Sequence, residues 1–464
     1  MPVTAQQLDK PIDAASSTFA KMLSTLQGNI LKGHGRDNTR NLFLKFDPAR
    51  KAEARAALRA LAPHVTSAGE QLRQVARFKA TGMSGGTTLF IFLSAKGYAA
   101  LGIALAKTPS DPRFRAGMKS AAIHDPAPLL WDMHFRSDLH GMILIADECA
   151  SNLDSAQAIV TAKLAAAGIA VAGVEVGLAQ RNTAGEGIEH FGYVDGRSQP
   201  LMLKDDVARE LQAAGGVFKW DPAMGPGQIA IVRDPGTAAV DAFGSYFIFR
   251  KLEQNVQGFK DSEDQLATAL GLTGDDRELA GAMVVGRFEN GAPVVSAPTT
   301  SGHPPVDNNF GFGADQDGAK CPFAAHIRKT NPRGDSVALG ATLASERLHL
   351  MPRRGMTYGE RTDDFESDDN KPTGGVGLLF MAYNKDIGRQ FEFTQGSWAN
   401  NSNFARPGTG PDPVIGQGPP GANFWPTIWG DPQSPKVNFT FGQFVTMKGG
   451  EYFFAPSIAT LAAL

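Results

Sequence analysis

Cysteine is nearly absent from these 464 residues: Cys149 and Cys321 are the whole supply. Two thiols build neither a disulfide framework nor a metal cluster, and so sparse a usage fits a reducing compartment. Charge of one sign is also missing. With 45 Lys and Arg against 47 Asp and Glu the formal net charge is −2, and no long basic run offers a grip on nucleic acid. No window reaches the roughly 20 apolar residues that a membrane helix needs. The stretch from Met1 to Lys21 holds Asp9, Lys10 and Asp13, has no uninterrupted apolar core and contains no Arg-Arg pair, which argues against a secretory leader. The expectation is a cytoplasmic protein that binds neither nucleic acid nor membrane, with its oligomeric state open.

What is present is ordinary for a globular chain: 42% hydrophobic and 20% charged residues. The length is large for one core, so two domains are expected. Apolar and aromatic runs at residues 41–46, 87–93, 140–146 and 174–179 read as strands. Between them, residues 48–61, 97–105 and 151–167 read as helices, the first opened by Asp47-Pro48 as cap and first-turn pair. The second part reuses the pattern, with strands at 245–249, 376–382 and 451–455 and helices at 252–270 and 386–398. Strand–helix–strand followed by strand–helix–strand is the order of a ferredoxin-like α+β unit, here duplicated. Gly and Pro cluster between residues 213 and 227, where a linker is expected. The divisions are residues 1–25 as an extension, 26–215 as one unit and 226–464 as the other. Three long irregular stretches, 291–331, 358–375 and 400–435, all fall in the second unit, and loops of that length are usually functional or disordered. The apolar end, residues 453–464, reads as a last strand with a frayed tail, or as a peptide that docks to a protein shell.

Three motifs carry chemistry. The first is Cys321-Pro322-Phe323-Ala324-Ala325-His326-Ile327-Arg328-Lys329-Thr330-Asn331-Pro332-Arg333. A His beside apolar residues is ordinarily a hydrogen-bonded core residue, yet here cations follow it. One axial imidazole with arginines for two propionates is what a haem site requires. The second motif is Gly192-Tyr193-Val194-Asp195-Gly196, in which Asp-Gly alone reads as a turn. The third is Arg353-Arg354-Gly355-Met356-Thr357-Tyr358-Gly359. In this order the three resemble the dye-decolorizing peroxidases. The segments beginning Leu26-Gln27-Gly28-Asn29, Gly377-Leu378-Leu379-Phe380 and Gly410-Pro411-Asp412-Pro413 extend the resemblance from about residue 26 to about residue 455.

The resemblance implies duplicated ferredoxin-like domains of the dimeric α+β barrel type, with haem b held mainly by the C-terminal half. It implies a peroxidase that uses hydrogen peroxide to oxidise phenolic or dye-like donors in one-electron steps, through a ferryl porphyrin-radical intermediate. His326 becomes the axial ligand of the haem iron, with Asp412 accepting its other ring N–H; His349, in an apolar run that reads as a strand, is the rival ligand. Asp195 becomes the acid–base group that takes a proton from one peroxide oxygen and returns it to the other. Arg353 stabilises the departing oxygen, while Arg354 points elsewhere. No plant-type distal Arg-x-x-Phe-His run is present to supply a histidine base instead. Arg333 matches the residue that pairs with a propionate. Arg328 and Lys329 read as a solvated face, and Met356 and Phe380 as pocket lining or ordinary core. Dyes too large for a peroxide pocket call for electron relay by near-surface aromatics, for which Trp398 and Tyr358 are candidates beside their plainer reading as packing residues. A haem carrier or iron-release protein on the same scaffold is the alternative from another class, and a haem-free binding module a third.

Overall fold

A computed structural model of the chain describes residues 2–301, 306–361, 363, 370–419 and 421–464. Its frame is eight strands. The first four are β1 (Asn38–Lys45), β2 (Thr88–Ser94), β3 (Gly141–Asp147) and β4 (Ala170–Leu178). The others are β5 (Phe243–Gln254), β6 (Met356–Tyr358), β7 (Gly377–Asn384) and β8 (Val445–Ala455). All pair antiparallel in the order β4-β1-β3-β2-β8-β5-β7-β6, with the short strand Val232–Arg233 added beside β5. The order β4-β1-β3-β2 recurs as β8-β5-β7-β6, so each set of four has ferredoxin-like connectivity. The duplication read from the pattern is therefore present.

The two sets share one sheet and one core. Phe453 of β8 lies opposite Ser94 of β2, and Phe454 opposite Leu93. At the far edges the Thr357 hydroxyl of β6 donates to the Leu178 carbonyl of β4, so the sheet curls toward a barrel. Strands β2 and β3 are buried along their whole length, which explains why they read as unbroken apolar runs rather than alternating ones. Aromatic contacts bind the halves: Phe92 stacks on Phe247 at 4.2 Å and Phe43 meets Phe249 edge-on at 4.9 Å. Such pairs add about 0.5–1.5 kcal/mol beyond the area they bury.

Six helices bear on the site or the core: α1 (Lys51–Leu61), α2 (Ala68–Thr81), α3 (Ala150–Ala166), α4 (Val256–Ala269), α5 (Glu278–Val285) and α6 (His326–Thr330). Before α1 the Asp47 carboxylate accepts the Ala49 N–H, in the capping role expected of it. Helix α2 was not expected. Phe78 is half exposed and the helix buries only Ala68 and Gln71, so no apolar stripe announces it. Its ends do: Ser67 accepts the Glu70 N–H, and Gly82 stops the helix at φ 69°. Residues 386–398 are helical, but as the π-type segments Gly388–Glu392 and Thr394–Ala399. His349 lies in the turn after Leu343–Arg347, not in a strand. The chain end is not frayed: Ile458–Ala462 forms a helix capped by Ser457, with Leu461 fully buried. Positions 302–305, 362, 364–369 and 420 of the long stretches lie outside the described residues. Among the described residues no helix is long and apolar enough to cross a membrane.

Arg328 and Lys329 do not form a solvated face. They are 1% and 0% exposed. Arg328 donates from Nε to Asp335 at 2.6 Å and from a terminal nitrogen to Asp315 at 2.8 Å. Burial disfavours its charge, but the Asp335 bond and both carboxylates more than restore it. Among the described residues Lys329 has no carboxylate in an ion pair, though the charge of Asp412 partly supports it. It donates to the carbonyls of Trp398 and Asn401, at 3.3 and 2.6 Å, and burial pulls it down to about 8. Those carbonyls lie at and just beyond the end of the second π-type segment, and each also accepts a main-chain N–H, from Asn401 at 3.3 Å and from Phe404 at 3.2 Å. The two cations thus bolt α6 into the protein. Arg328→Met should strand two buried carboxylates and lower unfolding stability by about 3–5 kcal/mol, read from the midpoint of denaturant unfolding; an unchanged midpoint would show the network to be idle.

Candidate active site

The loops of the second half converge on a cavity of about 1760 Å³, counted out to its mouth. Leu252, Val285, Leu378, Phe380, Ile415 and Val445 supply apolar wall. Polar groups enter at a few points.

His326 opens α6 and faces the cavity, its side chain 27% exposed there. Its Nδ1 lies 2.9 Å from Asp412 Oδ2. Asp412 is itself held rigid, since its Oδ1 accepts the N–H groups of Val414 at 2.8 Å and Ile415 at 3.0 Å. Burial works against a charged His326, yet the charge and hydrogen bond of Asp412 outweigh it and leave the imidazole above its usual range. With Nδ1–H committed to a carboxylate, Nε2 is the nitrogen left to bind a ligand, and it is made more basic by that bond.

Asp195 follows a tight turn. Gly192 sits at φ 100° and Gly196 at φ 76°, conformations that a side chain would strain. The Asp195 N–H bonds to the Gly187 carbonyl at 3.0 Å, and its carboxylate opens into the cavity. Arg353 lines the same space. Its N–H donates to Gln199 Oε1 at 2.9 Å and its guanidinium to the Ser198 carbonyl at 3.3 Å. Burial lowers its proton affinity, and the charge of Asp195 partly counters that. Among the described residues no ion pair joins the two. The neighbouring Arg354 turns the other way, donating to the carbonyls of Asn29 at 2.8 Å and Ile30 at 2.9 Å. It ties the N-terminal segment to the fold.

Arg333 is buried and donates to the carbonyls of Asn308 at 3.0 Å and Phe310 at 2.5 Å. Beside it lies Arg287, just past α5, which sequence reasoning missed. It donates to Ser198 Oγ at 3.0 Å and Asn308 Oδ1 at 2.7 Å. Burial drives Arg287 down to about 10 and Arg333 well below its usual range. Among the described residues neither has a carboxylate in an ion pair, so two buried guanidiniums stand at the cavity with chiefly the charge of Asp307 working against the loss. No spacing signal marks Arg287; only the fold brings it there.

Two expectations need correction. Met356 is not in the cavity wall. Gly355 and Leu378 line it, and strand alternation turns Met356 toward β4, where a Cβ on Gly177 would come within 3.1 Å of its own. Trp398 and Tyr358 are not near-surface aromatics, being 3% and 6% exposed. Trp398 stacks on Phe404 at 5.2 Å, and Lys251 lies over the Tyr358 ring at 4.9 Å.

The donor set suits a haem. His326 offers the cavity one imidazole nitrogen with a carboxylate behind the other, which suits a metal that brings its own equatorial ligands. The apolar walls fit a macrocycle, and the unpaired arginines fit two acidic arms.

Residues 25–175 match the model of the DyP dimeric alpha+beta barrel domain. Over 463 residues the chain is 47% identical to the multifunctional dye peroxidase DyP2 of an Amycolatopsis species, covering 97% of each. The crystal structure of a DyP-type peroxidase from an Anabaena species superposes with a TM-score of 0.93 at 39% identity, over 99% of both chains. A dye-decolorizing peroxidase solved in complex with 2,6-dimethoxyphenol superposes at 0.77 with 30% identity, over 95% of this chain and 98% of that one.

Proposed function

Because the chain belongs to the dye-decolorizing peroxidase family, whose members depend on haem, we propose that His326 would hold the iron of a haem b while Asp195 and Arg353, in the same cavity, handle peroxide. The enzyme is a peroxidase of phenolic or dye-like donors. The observation that carries the residue assignment is the convergence on one cavity of a carboxylate-backed imidazole, an exposed carboxylate and a half-buried guanidinium. A bound haem would supply an iron for peroxide to meet and would hold the two oxidising equivalents that peroxide delivers until they pass singly to the donor.

The rest falls to the chain. Asp195, open to the cavity, takes the proton from one oxygen of hydrogen peroxide and delivers it to the other, which leaves as water. Arg353 meets the negative charge growing on that departing oxygen with a charge already fixed in place, so no reorganisation is needed. Arg333 and Arg287 orient the haem through its acidic arms. Asp412 keeps the His326 ring turned and electron-rich. We place the enzyme in the cytoplasm, for which an exposed free thiol at Cys149 speaks, and divide the chain at residues 26–215 and 226–464.

Asp195→Asn tests the proton role. Haem content should stay at the wild-type level while peroxide-driven oxidation of 2,6-dimethoxyphenol falls by about a hundredfold, the lower end of what a positioned acid–base group contributes. Full turnover in that variant would leave a haem-binding protein whose Asp195 has no part in the chemistry.

A further inference from the structure

Glu189 begins the turn that ends at Asp195, and its own carboxylate braces that turn. Oε2 accepts the Phe191 N–H at 2.8 Å, and Oε1 accepts the Tyr193 N–H at 3.0 Å. The Glu189 N–H bonds to the Tyr193 carbonyl at 3.1 Å, and the Gly192 N–H to the Glu189 carbonyl at 2.9 Å. From β5, Gln254 Nε2–H donates to Glu189 Oε2 as well. The carboxyl lines the cavity, where its remaining exposed surface lies.

The amide of Gln254 is half satisfied. Its Oε1 is buried without a partner, a costly state for an acceptor. Turning the amide over to meet a Glu189 O–H would only move the deficit to Nε2, so Gln254 favours the ionised carboxyl. The main-chain N–H groups of Phe191 and Tyr193 keep acceptors on the same carboxyl. The carboxyl therefore holds the turn in either proton state. Burial drives the Glu189 carboxyl up to about 7, its hydrogen bonds from Phe191, Gln254 and Tyr193 holding it down and the charge of Asp195 adding to the rise.

We propose that Glu189 is a positioning residue for Asp195 that also stores a proton in the cavity wall, so that its protonation alters both the grip on the Asp195 turn and the charge Asp195 faces. This rests on the reading of Asp195 as the proton carrier. Other polar groups around Glu189 are committed elsewhere. In its own turn, His190 Nε2 faces the Tyr358 carbonyl at 2.8 Å and the Tyr193 hydroxyl donates to Glu263. On α4, Glu263 pairs with Lys260 at 2.8 Å. On β5, Arg250 pairs with Asp125 at 2.6 Å. Of the charges around it, Asp195 is the one that adds to the rise at Glu189.

The sign follows. Below about 7 the carboxyl holds its proton, and above it ionises, keeps all three N–H bonds and opposes the charge of Asp195. The test is infrared difference spectroscopy of the haem-loaded protein stepped across neutral pH, with stopped-flow rates of the peroxide reaction over the same range. Wild type should lose one carboxylic-acid band as pH rises through about 7, with an inflection in the peroxide rate at the same pH. Glu189→Gln should lack both. Gln254→Leu removes a bond that holds the carboxyl down, so the band's midpoint should move to higher pH. A band that persists in Glu189→Gln, a rate inflection unchanged by that substitution, or a midpoint unmoved in Gln254→Leu overturns the proposal; the last decides alone if Glu189→Gln does not fold. If Asp195 is not the proton carrier, Asp195→Asn leaves the peroxide rate intact while the Glu189 band still titrates, so the two readings fail separately.

Discussion

Folded, nearly colourless protein is the expected product of His326→Ala expressed with ample haem. The substitution removes the one nitrogen aimed into the cavity with a carboxylate behind it. Loss of a partner behind a metal ligand already costs about 10–100-fold in metal affinity, so loss of the ligand itself should cost more. The fold should survive, because α6 is anchored by other groups. Arg328 keeps Asp315 and Asp335, and Lys329 keeps the carbonyls of Trp398 and Asn401. Asp412 keeps the N–H groups of Val414 and Ile415. The measurement is haem absorbance per chain beside far-ultraviolet circular dichroism. Wild-type pigment with native dichroism would exclude His326 as the axial ligand.

How legible the protein was in its sequence depended on range. Asp195, His326 and Arg353 each sit in a short motif whose glycines or flanking residues set the local geometry, and the structure draws all three to one cavity. The repeated strand order was legible as well, because fully buried strands print long apolar runs. What failed needed knowledge of partners far along the chain. Arg328 and Lys329 look like a solvated face because consecutive cations usually are one; Asp315 reaches Arg328 from an irregular stretch and Asp335 from the first turn of a short 3-10 helix, neither of which prints a periodic signal. Met356 was misplaced because alternation along so short a strand as β6 cannot be phased until its pairing with β7 is known. Arg287 is silent for the same reason. Helix α2 could have been found from Ser67 and Gly82, had caps been weighed above apolar periodicity.

Arg353→Leu should bind haem normally and react with peroxide about two to three powers of ten more slowly. One positioned charge or donor at a developing negative oxygen is worth roughly 3–4 kcal/mol, which is the source of that factor. Haem retention is expected because the holding groups lie elsewhere, at His326, Arg333 and Arg287. The loop should also keep its path, since Gln199 receives the main-chain N–H of residue 353 and not its side chain. The adjacent residue is the control. Arg354 spends its guanidinium on the carbonyls of Asn29 and Ile30, so Arg354→Leu should lower unfolding stability and leave the peroxide rate per haem near wild type. Stopped-flow mixing with peroxide reads the first effect and thermal unfolding the second. If the two variants trade places, slow chemistry appearing at 354 and instability at 353, the register of this loop over the cavity is one residue out and the charge stabiliser is Arg354.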